Sequence, residues 1–241
     1  MHWVLGIYSK LKRLEALSDM ESVSQGRKIM KNKTTLSVII YVIVFSVGFF
    51  GGFSYLENVL DPYLYTFRIN AKQIVYVFVF IYSIIALYPF LNDGLNNLKK
   101  VDLNEIISVL FIVALLGFII MVSFDLDSSK SENTNSQIAI SIIFSPIIEE
   151  LYCRCALIFL INKYLNIENI VCILISGSVF SLYHYKNFMG ADLNYIICYL
   201  LIYFILGIGC SYLYLQSDNI FSPIILHIIW NVCAIGGSLF L

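Results

Sequence analysis

Charge is scarce in this chain of 241 residues: Asp, Glu, Lys and Arg make up 13% of it, against about 25% in an ordinary soluble domain. Apolar residues reach 59%. So little polar surface cannot solvate a globule of this size, which excludes a soluble enzyme and a disordered chain. A net charge of −1 provides no basic face for phosphates, so nucleic acid is not an expected partner. The six cysteines include no CxxC pair, so neither a zinc ribbon nor a disulfide framework is indicated. No HExxH is present to hold a metal on one helix. No alternating segments of about ten residues occur, which argues against an outer-membrane barrel.

What the chain does have is long apolar runs. A spanning helix needs about 20 mostly apolar residues. Seven stretches qualify or come close: Leu36–Leu56, Ile74–Leu91, Ile106–Phe124, Gln137–Ile161, Glu168–His184, Asp192–Leu215 and Ile220–Phe240. The expected fold is all-α, a polytopic helical membrane protein of about seven transmembrane helices. Its parts are a basic N-terminal segment over 1–35, three accessory spans with their loops over 36–136, and a membrane core over 137–241. The six cysteines (Cys153, Cys155, Cys172, Cys198, Cys210 and Cys233) all fall inside spans, as small apolar residues. Gly48 and Gly52 form a small-xxx-small pair suited to helix packing.

Orientation follows from Lys and Arg in the loops. Lys10, Lys12, Arg13, Arg27, Lys28, Lys31 and Lys33 precede the first span, and Lys99, Lys100 and Lys163 fall on the same side. Only Arg68, Lys72, Lys130 and Lys186 fall opposite. The expected N-terminus is cytoplasmic and the C-terminus external. The first 35 residues read as a cytoplasmic tail, with a helix lying on an anionic membrane surface as the alternative. Met30, just before Lys31, Asn32 and Lys33, would also make a natural start. No cleavable signal peptide is evident. The polar stretch Asp125–Ser136 reads as an extracytoplasmic turn.

The informative residues are those that do not belong in hydrocarbon, where an ionisable group costs roughly 2.5–3.5 kcal/mol or more. The first three spans carry almost none between their ends. The last four carry Glu149, Glu150, Arg154, His184 and His227, two of the chain's three histidines among them. Glu150 and Arg154 are four apart and can pair on one helix face. Glu149 points about 100° away, with its carboxylate open to another partner. Pro146 donates no N–H and is expected to kink the helix just before the pair. His227 and Asn231, also four apart, can aim two polar groups at one point. Each feature has a bland counterpart: a structural clasp, an interfacial histidine, a packing His–Asn bond. Three such constellations in three of the last four spans exceed what packing alone requires. By helical rise, Glu149 lies about 12 Å from the cytoplasmic face and His227 about 10 Å from the inner end of its span, so the two can meet. His184 comes out nearer the outer face, and tilt, a bend at Gly177 or a shifted boundary is needed to bring it level.

With these residues the sequence resembles the CPBP family (CAAX proteases and bacteriocin-processing enzymes), also called the Abi family. Its motifs EExxxR, FxxxH and HxxxN are matched by Glu149-Glu150…Arg154, Phe180…His184 and His227…Asn231. A subsidiary FxxG is matched by Phe204…Gly207, and the resemblance covers roughly Gln137 to Phe240. It implies a catalytic core in the last four spans that acts as a glutamate-dependent intramembrane peptidase. Glu149 would be the base that activates water, assisted by His184. His227 and Asn231 would stabilise the oxyanion. Glu150 and Arg154 would hold the site and Phe180 would pack it. Relatives have been labelled metalloproteases, and zinc on Glu149, His184 and His227 is the alternative to the metal-free role favoured by this reading. The expected substrate is a peptide or membrane protein in the lipid bilayer. The Ile-, Asn- and Lys-rich composition points to a bacterial plasma membrane, and to bacteriocin maturation, self-immunity or signal-peptide processing. The competing readings are a non-enzymatic immunity factor or sensor regulator on the same fold, and a small proton-relay transporter, which would show two pseudo-symmetric halves.

Overall fold

The computed structural model describes residues 33–47, 53–64, 71–124, 140–165 and 167–240. Every regular element among these residues is helical. Residues 1–32 of the basic segment, the Met30 start, the Gly48–Gly52 pair and the polar loop 125–136 lie outside the described residues. The chain divides into two compact units, 1–37 and 38–241, and every residue of the site described below belongs to the second.

Of the first expected span, the described residues form helix α1 (Lys33–Val47) and helix α2 (Phe53–Leu64), the second running eight residues past the expected end at Leu56. The second expected span is divided, into α3 (Ala71–Ala86) and α4 (Tyr88–Asn96). The pair bends by 68° around Leu87. Pro89 in the first turn of α4 is the cause, because it donates no hydrogen bond to the turn before it and favours a helix start. Helix α5 (Leu103–Ser123) is capped by Asp102, whose Oδ1 accepts from the backbone N–H of Asn104 at 2.9 Å.

The next helix, α6 (140–164), changes width along its length. A π-helical turn at Ile140–Phe144 leads into an α segment at Ser145–Glu150, a second π segment at Leu151–Ile158 and a last α turn at Phe159–Tyr164. Pro146 lies in the first turn of the α segment. Phe144 before it keeps helical dihedrals (φ −74°, ψ −43°), so around Pro146 the helix changes width and continues. Such π turns are rare and concentrate at functional sites. Three helices follow: α7 (Asn169–His184), α8 (Leu193–Ser217) and α9 (Phe221–Phe240).

Two of these helices, α5 and α8, are long and apolar enough to cross a membrane, or three spans if the bent α3–α4 pair counts as one. Large side chains lie open on the outside, Phe78, Phe111 and Phe118 among them, as a lipid-facing surface requires. The protein is an integral membrane protein.

Two apolar clusters build the core. The first joins Val38, Tyr41 and Phe45 of α1 to Ile148, Leu151 and Cys155 of α6 and Ile224 of α9. The second joins Ile106 and Val113 of α5 to Cys153, Phe180, Leu206, Cys210 and Leu226. Helix α6 feeds both, so its charged residues sit where the clusters meet. Helices α7 and α8 approach most closely at two glycines. A Cβ on Gly207 would stand 2.9 Å from the Gly177 Cα. With no water to drive helices together in lipid, close backbone contact of this kind supplies much of the attraction. Gly207→Ala is therefore expected to lower stability by about 1–3 kcal/mol, read as a fall in the unfolding temperature of the purified protein. An unchanged melting point would contradict the contact.

The start of α9 is held by Asn219. Its Nδ2 donates to the carbonyls of Gly94 at 3.0 Å and Asn97 at 2.9 Å, while its Oδ1 accepts from the N–H of Phe221 at 2.8 Å. The contact needs a glycine at position 94, where a Cβ would meet the Phe221 ring at 3.0 Å.

Candidate active site

Three helices bring the acidic and imidazole groups together: α6 carries Glu149, Glu150 and Arg154, α7 carries His184, and α9 carries His227. Glu150 and Arg154 are 0% exposed. Arg154 Nε stands 2.9 Å from Glu150 Oε2, the pairing expected from their spacing. The N–H does not point along that line, and Nη1 has no aligned acceptor, so the pair is a charge contact more than a directed bond. Arg154 Nη2 donates to the Gly207 carbonyl at 3.1 Å, and its guanidinium lies 4.9 Å above the Phe180 ring, a favourable face for a cation. Phe180 packs against both site histidines, at ring separations of 4.7 Å to His184 and 5.4 Å to His227. The fully buried Phe180 thus packs the charged cluster from one side.

His227 touches both glutamates, one through each ring nitrogen. Its Nδ1 lies 2.8 Å from Glu150 Oε1 and its Nε2 lies 3.7 Å from Glu149 Oε2. Glu150 Oε2 faces the Arg154 guanidinium, and its Oε1 accepts from His227 Nδ1–H. His184 is fixed in the same sense. Its Nδ1 stands 2.9 Å from the Phe180 carbonyl, which also can only accept. Its Nε2 stands 3.6 Å from Glu149 Oε2. In their neutral forms both histidines therefore present Nε2 lone pairs to the same carboxylate oxygen. Three acceptors face one another across gaps too long for direct hydrogen bonds.

His184 is level with Glu149 without any bend at Gly177, since α7 runs unbroken past that residue. The approach of His184 Nε2 to within 3.6 Å of Glu149 Oε2 puts the two side chains at one height. Asn231 sits one turn beyond His227 on α9 and is half-buried.

Two neighbours carry no motif signal. Ser145 Oγ donates to Glu149 Oε1 at 2.7 Å. Tyr203 of α8 stacks on His184 at 3.9 Å and 14°, which fixes the imidazole plane. Ser145 was open to the same i,i+4 reasoning that paired Glu150 with Arg154. Tyr203 was not, because its partner lies on another helix.

Glu149, His184 and His227 have the chemistry of zinc ligands. Zinc bonds of 2.0–2.1 Å at tetrahedral angles place ligand atoms about 3.4 Å apart, and the separations from Glu149 here are 3.6 and 3.7 Å. Among the described residues no group of three or more His, Cys, Asp or Glu side chains is placed to hold a metal ion.

The family model described as Type II CAAX prenyl endopeptidase Rce1-like matches residues 131–233. No curated protein matches the chain. No solved structure matches it either. The matched segment contains Glu149, Glu150, Arg154, Phe180, His184, His227 and Asn231. Residues 131–233 are thus similar to the Rce1-like CAAX endopeptidase family.

Proposed function

We propose that this protein is a glutamate-dependent intramembrane endopeptidase that cuts a peptide or membrane-protein substrate without a bound metal. It would use about seven spans in a bacterial plasma membrane, with the N-terminus cytoplasmic, in bacteriocin maturation, self-immunity or signal-peptide processing. The observation that carries the reading is the convergence of two histidine Nε2 atoms on Glu149 Oε2. A water held there gives one proton to Glu149 as its oxygen bonds to the scissile carbonyl carbon. His184 Nε2 accepts the second proton as a hydrogen bond and aims the attack. The carbonyl oxygen takes the negative charge and is held by the Asn231 amide and by His227, which enters the step as the imidazolium, with Nδ1–H on Glu150 and Nε2–H donating to the oxyanion. The C–N bond breaks as Glu149 returns its proton to the leaving amine. Fixed donors in a water-poor site are worth about 2.7–4 kcal/mol each to such a step.

The matched family's description names a prenyl endopeptidase, so the first probe is a fluorogenic peptide ending in a farnesylated CAAX motif, compared with its unprenylated form. The purified protein in liposomes is expected to cleave one of them, and to keep its rate in EDTA and 1,10-phenanthroline. Loss of activity on chelation with recovery on adding zinc would overturn the metal-free step. Release of no product from either peptide, by protein shown to be folded, would count against a CAAX-type substrate.

A further inference from the structure

Serines inside a helix usually donate to the carbonyl four residues back. Ser83, Ser108, Ser123, Ser211 and Ser217 do so here, at 2.7 to 2.8 Å, while Ser176 and Ser181 donate to the carbonyls of Cys153 and Leu200 on neighbouring helices. Ser145 sends its hydroxyl forward instead, to Glu149 Oε1 at 2.7 Å. The residues just before it, Ile140–Phe144, form a π turn in which backbone bonds reach five residues back. That widening changes the i−4 carbonyl geometry that an ordinary helix offers a serine. A carboxylate held at one oxygen cannot swing freely about its last torsion. With Oε1 bound to Ser145, Oε2 is the oxygen left to face His184 and His227.

From this contrast we infer that Ser145 is a positioning residue of the hydrolytic site: its hydroxyl holds Glu149 so that Oε2 is presented to the two imidazoles. The inference rests on the peptidase reading and adds a specific part to it. Ser145 touches neither substrate nor water in this role and acts only through Glu149.

The test compares Ser145→Ala, Ser145→Thr and Glu149→Gln in liposomes, on whichever farnesylated or unprenylated CAAX peptide the wild type cleaves. Ser145→Ala is expected to lower kcat by about 10- to 100-fold, the scale of a misplaced catalytic group, with KM within twofold of wild type. Ser145→Thr, which restores a hydroxyl on the same carbon, is expected to recover most of kcat. Ser145→Ala should add no further loss in the Glu149→Gln background. An alanine variant with wild-type kcat would overturn the inference, as would a threonine variant no better than alanine. Full cleavage by Glu149→Gln would overturn the glutamate-dependent reading on which the inference rests, while cleavage of neither peptide by folded wild type would overturn the CAAX-type peptidase reading, which separates the failures. A merely structural role would lower the unfolding temperature in both serine variants without the selective loss of kcat.

Discussion

Glu149→Gln is expected to lower the rate of peptide cleavage by about 10²- to 10⁴-fold, the range over which a positioned base contributes. The substitution suits the site because it changes little else. The amide oxygen can still accept from Ser145, the volume is kept, and the pairing of Glu150 with Arg154 is on a different face. What disappears is the ability to take a proton from water. Initial rates on the fluorogenic peptide, with the unfolding temperature measured in parallel, check the outcome. A folded Glu149→Gln protein that cleaves at the wild-type rate would remove Glu149 from the mechanism. If that variant also kept full biological activity in cells, a non-enzymatic membrane role would become the better account.

The second large effect is on stability. Arg154→Ala leaves the Glu150 carboxylate fully buried without its guanidinium, against His227 and the neutral Cys210 thiol. Breaking a buried pair from one side costs about 3–5 kcal/mol, since the remaining charge keeps its desolvation penalty. A typical protein has about 5–15 kcal/mol to lose, so poor recovery of monodisperse protein and a large drop in unfolding temperature are expected. The loss of Arg154 also frees the Gly207 carbonyl beside the tight α7–α8 contact. Replacing both partners with neutral groups of similar size, Glu150→Gln with Arg154→Met, should recover much of that stability. The double variant should still be slow, because His227 has lost the carboxylate that orients it. Arg154→Ala protein as stable as wild type would show that the pair contributes no net stability.

The sequence was most informative where chemistry conflicted with its surroundings. Charges in apolar runs stand out without a structure, and five such groups do form one cluster. The i,i+4 rule found the Glu150–Arg154 pair, because that contact depends on one helix alone. It did not find that His227 joins Glu150 to Glu149, since this depends on the crossing of α6 and α9. Measuring depth from assumed bilayer faces placed His184 too high. The contact of His184 Nε2 with Glu149 Oε2 sets the two level, and it depends on how α6 and α7 pack, not on an assumed bilayer face. The division of the second expected span was legible at Pro89, where hydropathy averaging conceals the one residue that changes direction. The π turns of α6 had no such marker, as no residue type encodes the extra width.

The brace at Asn219 bears on how the protein can be divided. The segment that matches the protease family begins at residue 131, yet the carbonyls that anchor the start of α9 belong to Gly94 and Asn97. Phe45, from still earlier in the chain, stacks on Tyr152 at 4.1 Å, two residues past Glu150. An excised 131–233 fragment would keep every motif residue and lose the groups that seat two of the helices bearing them. The matched segment is thus no portable module: grafted elsewhere, it would need a host that supplies a bent helix and an aromatic ring at matching positions.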